Sequence, residues 1–277
     1  MYHEHIEKCK VLLIMRGVRE EYMSDQKAKV VAVIPARYHS NRFEGKPLAL
    51  IAGKPMIRHV VERARRVGML SRVVVATDDP RIAETVAGFG GEYVMTRSDH
   101  ASGTDRLAEA AELLDIAEHD VVVNIQGDQP LFPVEVIEQV ATPLLSDPAL
   151  PMSTLIYKII RPEEINDPNH VKTVFDCNGN ALYFSRSPIP FQRNPEESIQ
   201  PTYYKHLGFY AYRKGFLLTF VALPEGEWER FEKLEQLRAL EYGYTIRVIL
   251  TEHDSIEVDT PRDAKRVEEM IKAGSDV

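Results

Sequence analysis

The chain has 277 residues, 44% of them hydrophobic and 27% charged, which suits a folded globular protein of one large α/β domain or two small ones. A formal net charge of -8 offers no overall attraction to nucleic acid, and two cysteines with no CxxC argue against a disulfide scaffold or zinc–thiolate centre and fit a reducing cytoplasm. No apolar run approaches the ~20 residues that cross a bilayer, so no membrane partner is expected.

Residues 1–28 are mostly polar apart from Val11–Met15, which is too short for a signal-peptide core. Met23 opens MSDQKAKVVAVIPARY, and Met1–Tyr22 reads as a poorly ordered extension. Residues 29–277 read as a single domain, with a strand-rich insertion at about 152–212. Val30 to Ile34 is a continuous β-branched and apolar run, as in a central parallel strand buried on both faces, and Pro35 ends it. Arg37, Arg42 and Lys46 follow, with Ser40, Asn41 and Gly45 between them. Cations in an amide-rich loop at the C-terminal end of a strand suit nucleotide phosphates. Neither GxxxxGK[ST] nor GxGxxG is present, so the loop is not a P-loop or a dinucleotide fingerprint. The stretch resembles the N-terminal signature of sugar nucleotidyltransferases. IPARYxSxRxxGKPL resembles the branch that activates Kdo (3-deoxy-manno-octulosonate) with CTP.

Downstream, Leu48 to Lys54 reads as a short connection, and helical spacing of Met56, Ile57, Val60, Val61 and Ala64 predicts a helix ending by Gly68. Val73–Ala76 reads as a buried strand followed by Thr77, Asp78 and Asp79, Pro80–Phe89 as a helix, and Tyr93–Val94 as a short strand. This alternation predicts a right-handed, parallel wound sheet. In SGTDRLAEAAELL, Ser102 or Thr104 is suited to cap a helix that buries Leu107, Ala108, Ala111 and Leu114. Read alone, SGTDR is equally a capping loop or a binding segment; the resemblance implies a place near cytosine and ribose. Asp120–Gln126 predicts a buried strand running into Gly127, Asp128, Gln129 and Pro130. An aspartate there sits at the crevice where open α/β sheets bind ligands and is suited to a divalent cation, although Gly-Asp-Gln-Pro is also simply a turn. The family usually has GDEP here, so Gln129 is a departure.

Pro133–Leu145 reads as a helix. Strands are predicted at Met152–Ile160, Lys172–Asp176, Ala181–Arg186 and Tyr203–Tyr212, with a hairpin turn at Asn178–Asn180 and a proline-rich loop after Arg186. Lys214–Val221 and Phe231–Gly243 read as helices, Thr245–Thr251 as a late strand of the same sheet, and Pro261–Ala273 as the closing helix. In the segment around Asp259, Glu257 stands where the family has glycine and Arg262 where it has glutamate.

The resemblance covers about Lys29 to Ile271 and implies a Rossmann-like, mostly parallel sheet with a sugar-binding and dimer-forming insertion. It implies CMP transfer from CTP to Kdo for lipopolysaccharide synthesis, by a cytoplasmic homodimer. The implied nucleotide pocket comprises Ala36, Arg37, Ser40, Arg42, Lys46, Thr77, Asp78, Ser102, Gly103 and Gln126. Arg37, Lys46 and Asp128 would be catalytic, and Asp128 and Asp259 would bind Mg2+. Arg186, His206, Glu235 and Gln236 would contact the sugar, Arg186 as a bidentate partner of its carboxylate. Without the resemblance, Arg186 reads as a surface ion pair, His206 as a satisfied strand histidine, and Glu235 and Gln236 as a solvated helix face. Alternatives are a cytidylyltransferase for another acidic sugar, such as 8-amino-Kdo or sialic acid, and a non-catalytic nucleotide-sugar binding module. YFSR, KHLG and LEQLR favour Kdo over sialic acid, and the acidic metal ligands and Lys46 needed for catalysis are all present.

Overall fold

The computed structural model describes residues 28–39, 43–194, 196 and 201–273. The expected extension, up to residue 27, lies outside the described residues, as do Ser40 and Arg42.

In chain order the elements are β1 (Val30–Ala36), β2 (Leu50–Ile51), β3 (Lys54–Pro55), α1 (Met56–Ala64), β4 (Leu70–Thr77), α2 (Pro80–Gly88), β5 (Glu92–Met95), α3 (Gly103–Leu113), β6 (Val121–Asn124) and α4 (Glu135–Ser146). There follow β7 (Met152–Lys158), α5 (Glu163–Asn166), β8 (Lys172–Phe175), β9 (Ala181–Ser185), β10 (Tyr204–Arg213), α6 (Lys214–Ala222), α7 (Glu227–Glu232), α8 (Gln236–Glu241), β11 (Ile246–Thr251) and α9 (Pro261–Lys272). The main sheet runs β11-β7-β10-β6-β1-β4-β5. β1 pairs in parallel with β4 and β6, and β4 with β5.

The apolar run of β1 follows from burial on both faces. Val30, Ala32 and Ile34 pack with α1 and α4 through Ile57, Val60, Val61, Ile137 and Val140. Val31 and Val33 face the opposite core, with Leu107, Ala111, Phe216 and Leu217 from α3 and α6. Helices on both faces leave the C-terminal edge of the strands for the loops, where such sheets bind ligands.

Beyond β6 the direction changes. β10 is antiparallel to both β6 and β7, and β11 is parallel to β7. β6 and β11 therefore point the same way. The β8–β9 hairpin pairs with the first part of β10. Its turn uses Gly179 at φ 76°, and the Asp176 carboxylate accepts from the backbone of Asn178 and Asn180 at 2.9 and 2.8 Å. Two expectations need correction. The connection after Leu48 contains the small β2–β3 hairpin. The helix expected over Phe231–Gly243 is two helices, α7 and α8, broken where Lys233 takes φ 52°. Carbonyls freed at that break, on Glu232 and Lys233, accept from the Arg186 guanidinium at 2.6 and 3.3 Å.

A smaller core fixes the C-terminal helix. Val267 and Val258 pack with Ile51, Met56 and Leu131. The segment leading into α9 crosses to the end of β6, where Ile256 bridges Leu131 and the Val258 N–H donates to the Asp128 carbonyl at 2.9 Å.

Candidate active site

The loop after β1 folds over itself because Gly45, at φ 67°, lets its N–H reach the Tyr38 carbonyl at 2.9 Å. Lys46 then opens a short 3-10 turn through Leu48. Gly127, after β6, approaches the same strand end closely: a Cβ there would lie 2.9 Å from the Pro35 carbonyl oxygen. Asp128 and Asp259 come from segments 131 positions apart in sequence, yet both receive the Lys46 ammonium, with Nζ 2.8 Å from Asp128 Oδ2 and 3.4 Å from Asp259 Oδ1. Thr260 caps α9, and Asp263 Oδ2 accepts from the Asp259 N–H at 3.2 Å, which fixes the backbone carrying that carboxylate.

These groups border a cavity of about 430 Å³ at the C-terminal edge of β1, β4 and β6. Of the residues expected to bind nucleotide or metal, Ala36, Arg37, Lys46, Asp78, Ser102, Gly103, Gln126, Asp128 and Asp259 line it. Thr77 does not: it is fully buried, and its hydroxyl accepts from the Asp79 N–H at 3.2 Å. Ser102, not Thr104, caps α3, in a reciprocal box with Asp105. The cavity also contains His39, Ser98 and His100, which the sequence reading did not single out, and Arg106, the arginine of SGTDR. Arg106 is 5% exposed and sits 3.2 Å from Asp78 Oδ1; burial lowers its pKa, opposed by Asp78. A charged residue inside the buried stripe of α3 was the available signal.

The residues expected to touch sugar lie outside the cavity lining. Arg186 gives its donors to backbone carbonyls: Glu232, Lys233 and, at 2.8 Å, Pro168. That bracing, which the helix break makes possible, occupies the fork expected for a sugar carboxylate. His206, on β10, packs against the Phe184 and Tyr210 rings, and its Nε2 lies 2.9 Å from Thr154 Oγ1. Since that hydroxyl can donate to the Phe209 carbonyl at 2.7 Å, Nε2 is assigned as the donor to Oγ1. Burial pushes the imidazole pKa down to about 3, so the ring is neutral at physiological pH. Glu235 accepts from the Thr104 hydroxyl at 2.7 Å, and burial raises its carboxyl above the ordinary range. Gln236 is 6% exposed, with Nε2 buried and lacking a hydrogen-bond partner among the described residues. Gln126 joins the two regions, lining the cavity while its Nε2 donates to the Gly208 carbonyl at 3.3 Å, within an irregular stretch of β10.

The donor set is compatible with magnesium. Lys46 already places a cation against two carboxylates, and this metal is held by one or two carboxylates completed by water and phosphate oxygens. Among the described residues no group of three or more His, Cys, Asp or Glu side chains forms a closed metal cage. Glu257 keeps exposed surface, yet burial of its carboxyl and the charges of Asp128 and Asp259 raise its pKa. Its carboxylate accepts from Gln129 Nε2 at 3.3 Å, so two of the three departures from the family pattern are hydrogen-bonded to each other.

The family model for cytidylyltransferases matches residues 31–248. A 3-deoxy-manno-octulosonate cytidylyltransferase from Syntrophus aciditrophicus is 58% identical over 243 residues, covering 88% of this chain and 97% of the relative. An 8-amino-3,8-dideoxy-manno-octulosonate cytidylyltransferase from Shewanella baltica is 53% identical, covering 87% and 98%. Among solved structures, a CMP:2-keto-3-deoxy-manno-octonic acid synthetase complexed with CTP superposes with a TM-score of 0.84 at 44% identity, covering 89% of this chain and all of that one. With the wound sheet, the edge cavity and these matches over most of its length, the chain belongs to the cytidylyltransferase family.

Proposed function

We propose that the protein transfers CMP from CTP to Kdo, giving CMP-Kdo and pyrophosphate and so activating Kdo for lipopolysaccharide synthesis. The observation that carries the reading is the cavity in which Lys46 meets Asp128 and Asp259, in a chain 58% identical to a Kdo cytidylyltransferase. The anomeric hydroxyl oxygen of Kdo attacks the α-phosphorus in line. The bond from that phosphorus to the bridging oxygen breaks, pyrophosphate leaves, and the hydroxyl proton passes to solvent. Such a transfer depends on positioning and charge neutralisation. Arg37 and Lys46 hold the triphosphate and offset the charge developing on the leaving group, and Arg42 is assigned the same role. Asp128 and Asp259 hold magnesium, which when bound neutralises phosphate charge. His206, Glu235 and Gln236 are assigned to the sugar side, while Arg186 braces the backbone beside them through the carbonyls of Pro168, Glu232 and Lys233. Gln126 gives that side a direct link to the cavity.

The Shewanella baltica relative supplies a second reading, in which 8-amino-Kdo is the sugar. We further propose a homodimer built on the strand-rich part, which is supported by its exposed Leu182 and Phe191. Among the described residues no helix is long and apolar enough to cross a membrane, in keeping with the proposed place in the cytoplasm. Pyrophosphate release from CTP with Kdo, 8-amino-Kdo, sialic acid and a neutral hexose tests the reading. Turnover should be fastest with Kdo; equal turnover with the neutral sugar would overturn it.

A further inference from the structure

We propose that His100, oriented by Glu109, recognises the nucleoside part of the bound nucleotide rather than its triphosphate. This deepens the cytidylyl-transfer reading and rests on it.

His100 lies on the irregular segment between β5 and α3. Its side chain is only 5% exposed, and it lines the nucleotide cavity on one side and an outer groove with Arg97 and Glu109 on the other. Glu109 projects from α3 and receives His100 Nε2 on Oε2. The same carboxylate oxygen accepts the Arg97 N–H at 3.0 Å, and Arg97 Nε stands 3.7 Å from Oε1. Glu109 thus holds both the ring and the backbone of the segment that carries Ser98, Ala101 and Ser102 into the cavity wall.

The chemistry follows from which nitrogen is used. An ionised carboxylate only accepts, so Nε2 carries the hydrogen of that bond. Nδ1 is then the remaining polar atom, and it makes no hydrogen bond among the described residues. Nδ1 accepts when the ring is neutral and donates when it is protonated. A ring paired with a carboxylate also contributes no net positive charge to the cavity. Phosphates are served by Arg37 and Lys46, which come from a different segment. An oriented ring nitrogen suits the hydroxyl, carbonyl and amino groups of a ribose and its base.

Two amide substitutions separate this role from a simple brace of the loop. His100→Gln places an amide nitrogen where Nε2 stood and retains the bond to Glu109, but it has nothing at Nδ1. His100→Asn places a polar atom near Nδ1 and loses Glu109. The experiment is calorimetric titration of the full chain in magnesium buffer with CMP and, separately, with pyrophosphate, alongside melting temperatures. His100→Gln should bind CMP roughly threefold to tenfold more weakly, the loss expected for one hydrogen bond, with pyrophosphate affinity and melting temperature unchanged. His100→Asn should bind CMP better than His100→Gln does. Glu109→Gln should weaken CMP as well, and the double variant with His100→Gln should be little worse than either single one. Wild-type CMP affinity in His100→Gln would reduce the pair to a loop brace and overturn the proposal. Equal loss for CMP and pyrophosphate would overturn it in favour of a phosphate contact. If the wild-type protein bound pyrophosphate but not CMP, the cytidylyl-transfer reading itself would fail, and the proposal with it.

Discussion

Replacing Lys46 by methionine keeps the aliphatic stem and deletes one charge. This ammonium lies 2.8 Å from Asp128 and 3.4 Å from Asp259, and the three side chains are 14%, 29% and 30% exposed. The pairing is therefore only partly shielded from water. Desolvation offsets much of the Coulomb attraction, so the change in folding stability should stay below ~2 kcal/mol. That corresponds to a fall in melting temperature of no more than roughly 8 °C for a chain of this size. The transition state is different. There the ammonium faces charge spreading onto the departing pyrophosphate, and loss of one preformed contact of this kind costs ~10²–10³ in turnover, or about 3–4 kcal/mol. Lys46→Met should therefore remain folded at 25 °C while kcat falls by two to three orders of magnitude at saturating CTP and magnesium, as on the same scale. The assay is steady-state pyrophosphate release, with circular dichroism on the same preparation. Near wild-type kcat would remove Lys46 from the mechanism. A loss of activity matched by unfolding would make it a structural residue.

Asp128→Asn and Asp259→Asn should each abolish most turnover, and the double variant should be little worse than either, because residues acting on one ion are strongly non-additive; multiplying losses across a magnesium titration would mean separate tasks. Arg186→Lys should lower the melting temperature, since an ammonium cannot replace a guanidinium that reaches the carbonyls of Pro168, Glu232 and Lys233. A raised KM for Kdo with unchanged melting would instead return Arg186 to the sugar. His206 should make the fold acid-sensitive. Its native pKa of about 3 lies below the unfolded value of 6.5, so between these values the unfolded chain binds more protons and stability falls as pH drops. Denaturant midpoints measured from pH 7 to pH 4 should fall less steeply in His206→Asn than in wild type; parallel curves would mean the histidine is not desolvated.

Burial on both faces made β1 legible as an unbroken apolar run, and strands β4 and β6 share that signature. The meeting of Asp128 and Asp259 could be inferred because each follows a strand in a sheet of one predominant direction. The intervening order, with β10 reversed between β6 and β7, is set by long-range pairing that no local pattern records. The break at Lys233 was hidden for a different reason. Lysine has no preference for positive φ, and the geometry is held by tertiary partners, among them Arg186 and the Arg238–Glu229 pair at 2.6 Å. The same contacts explain why Arg186, attractive as a carboxylate partner, proves to be occupied. His39, Ser98 and His100 went unnoticed because they lie on irregular segments without periodicity, where only folding shows that they face the cavity.

The central claim is that the α-phosphorus of CTP ends on Kdo. CTP labelled at the α-phosphate, incubated with magnesium, Kdo and the protein, should pass its label into a nucleotide-sugar product in step with pyrophosphate release, while CTP labelled at the γ-phosphate should yield labelled pyrophosphate only. Label from the γ position on the sugar, or pyrophosphate release with no labelled sugar product, would contradict the account.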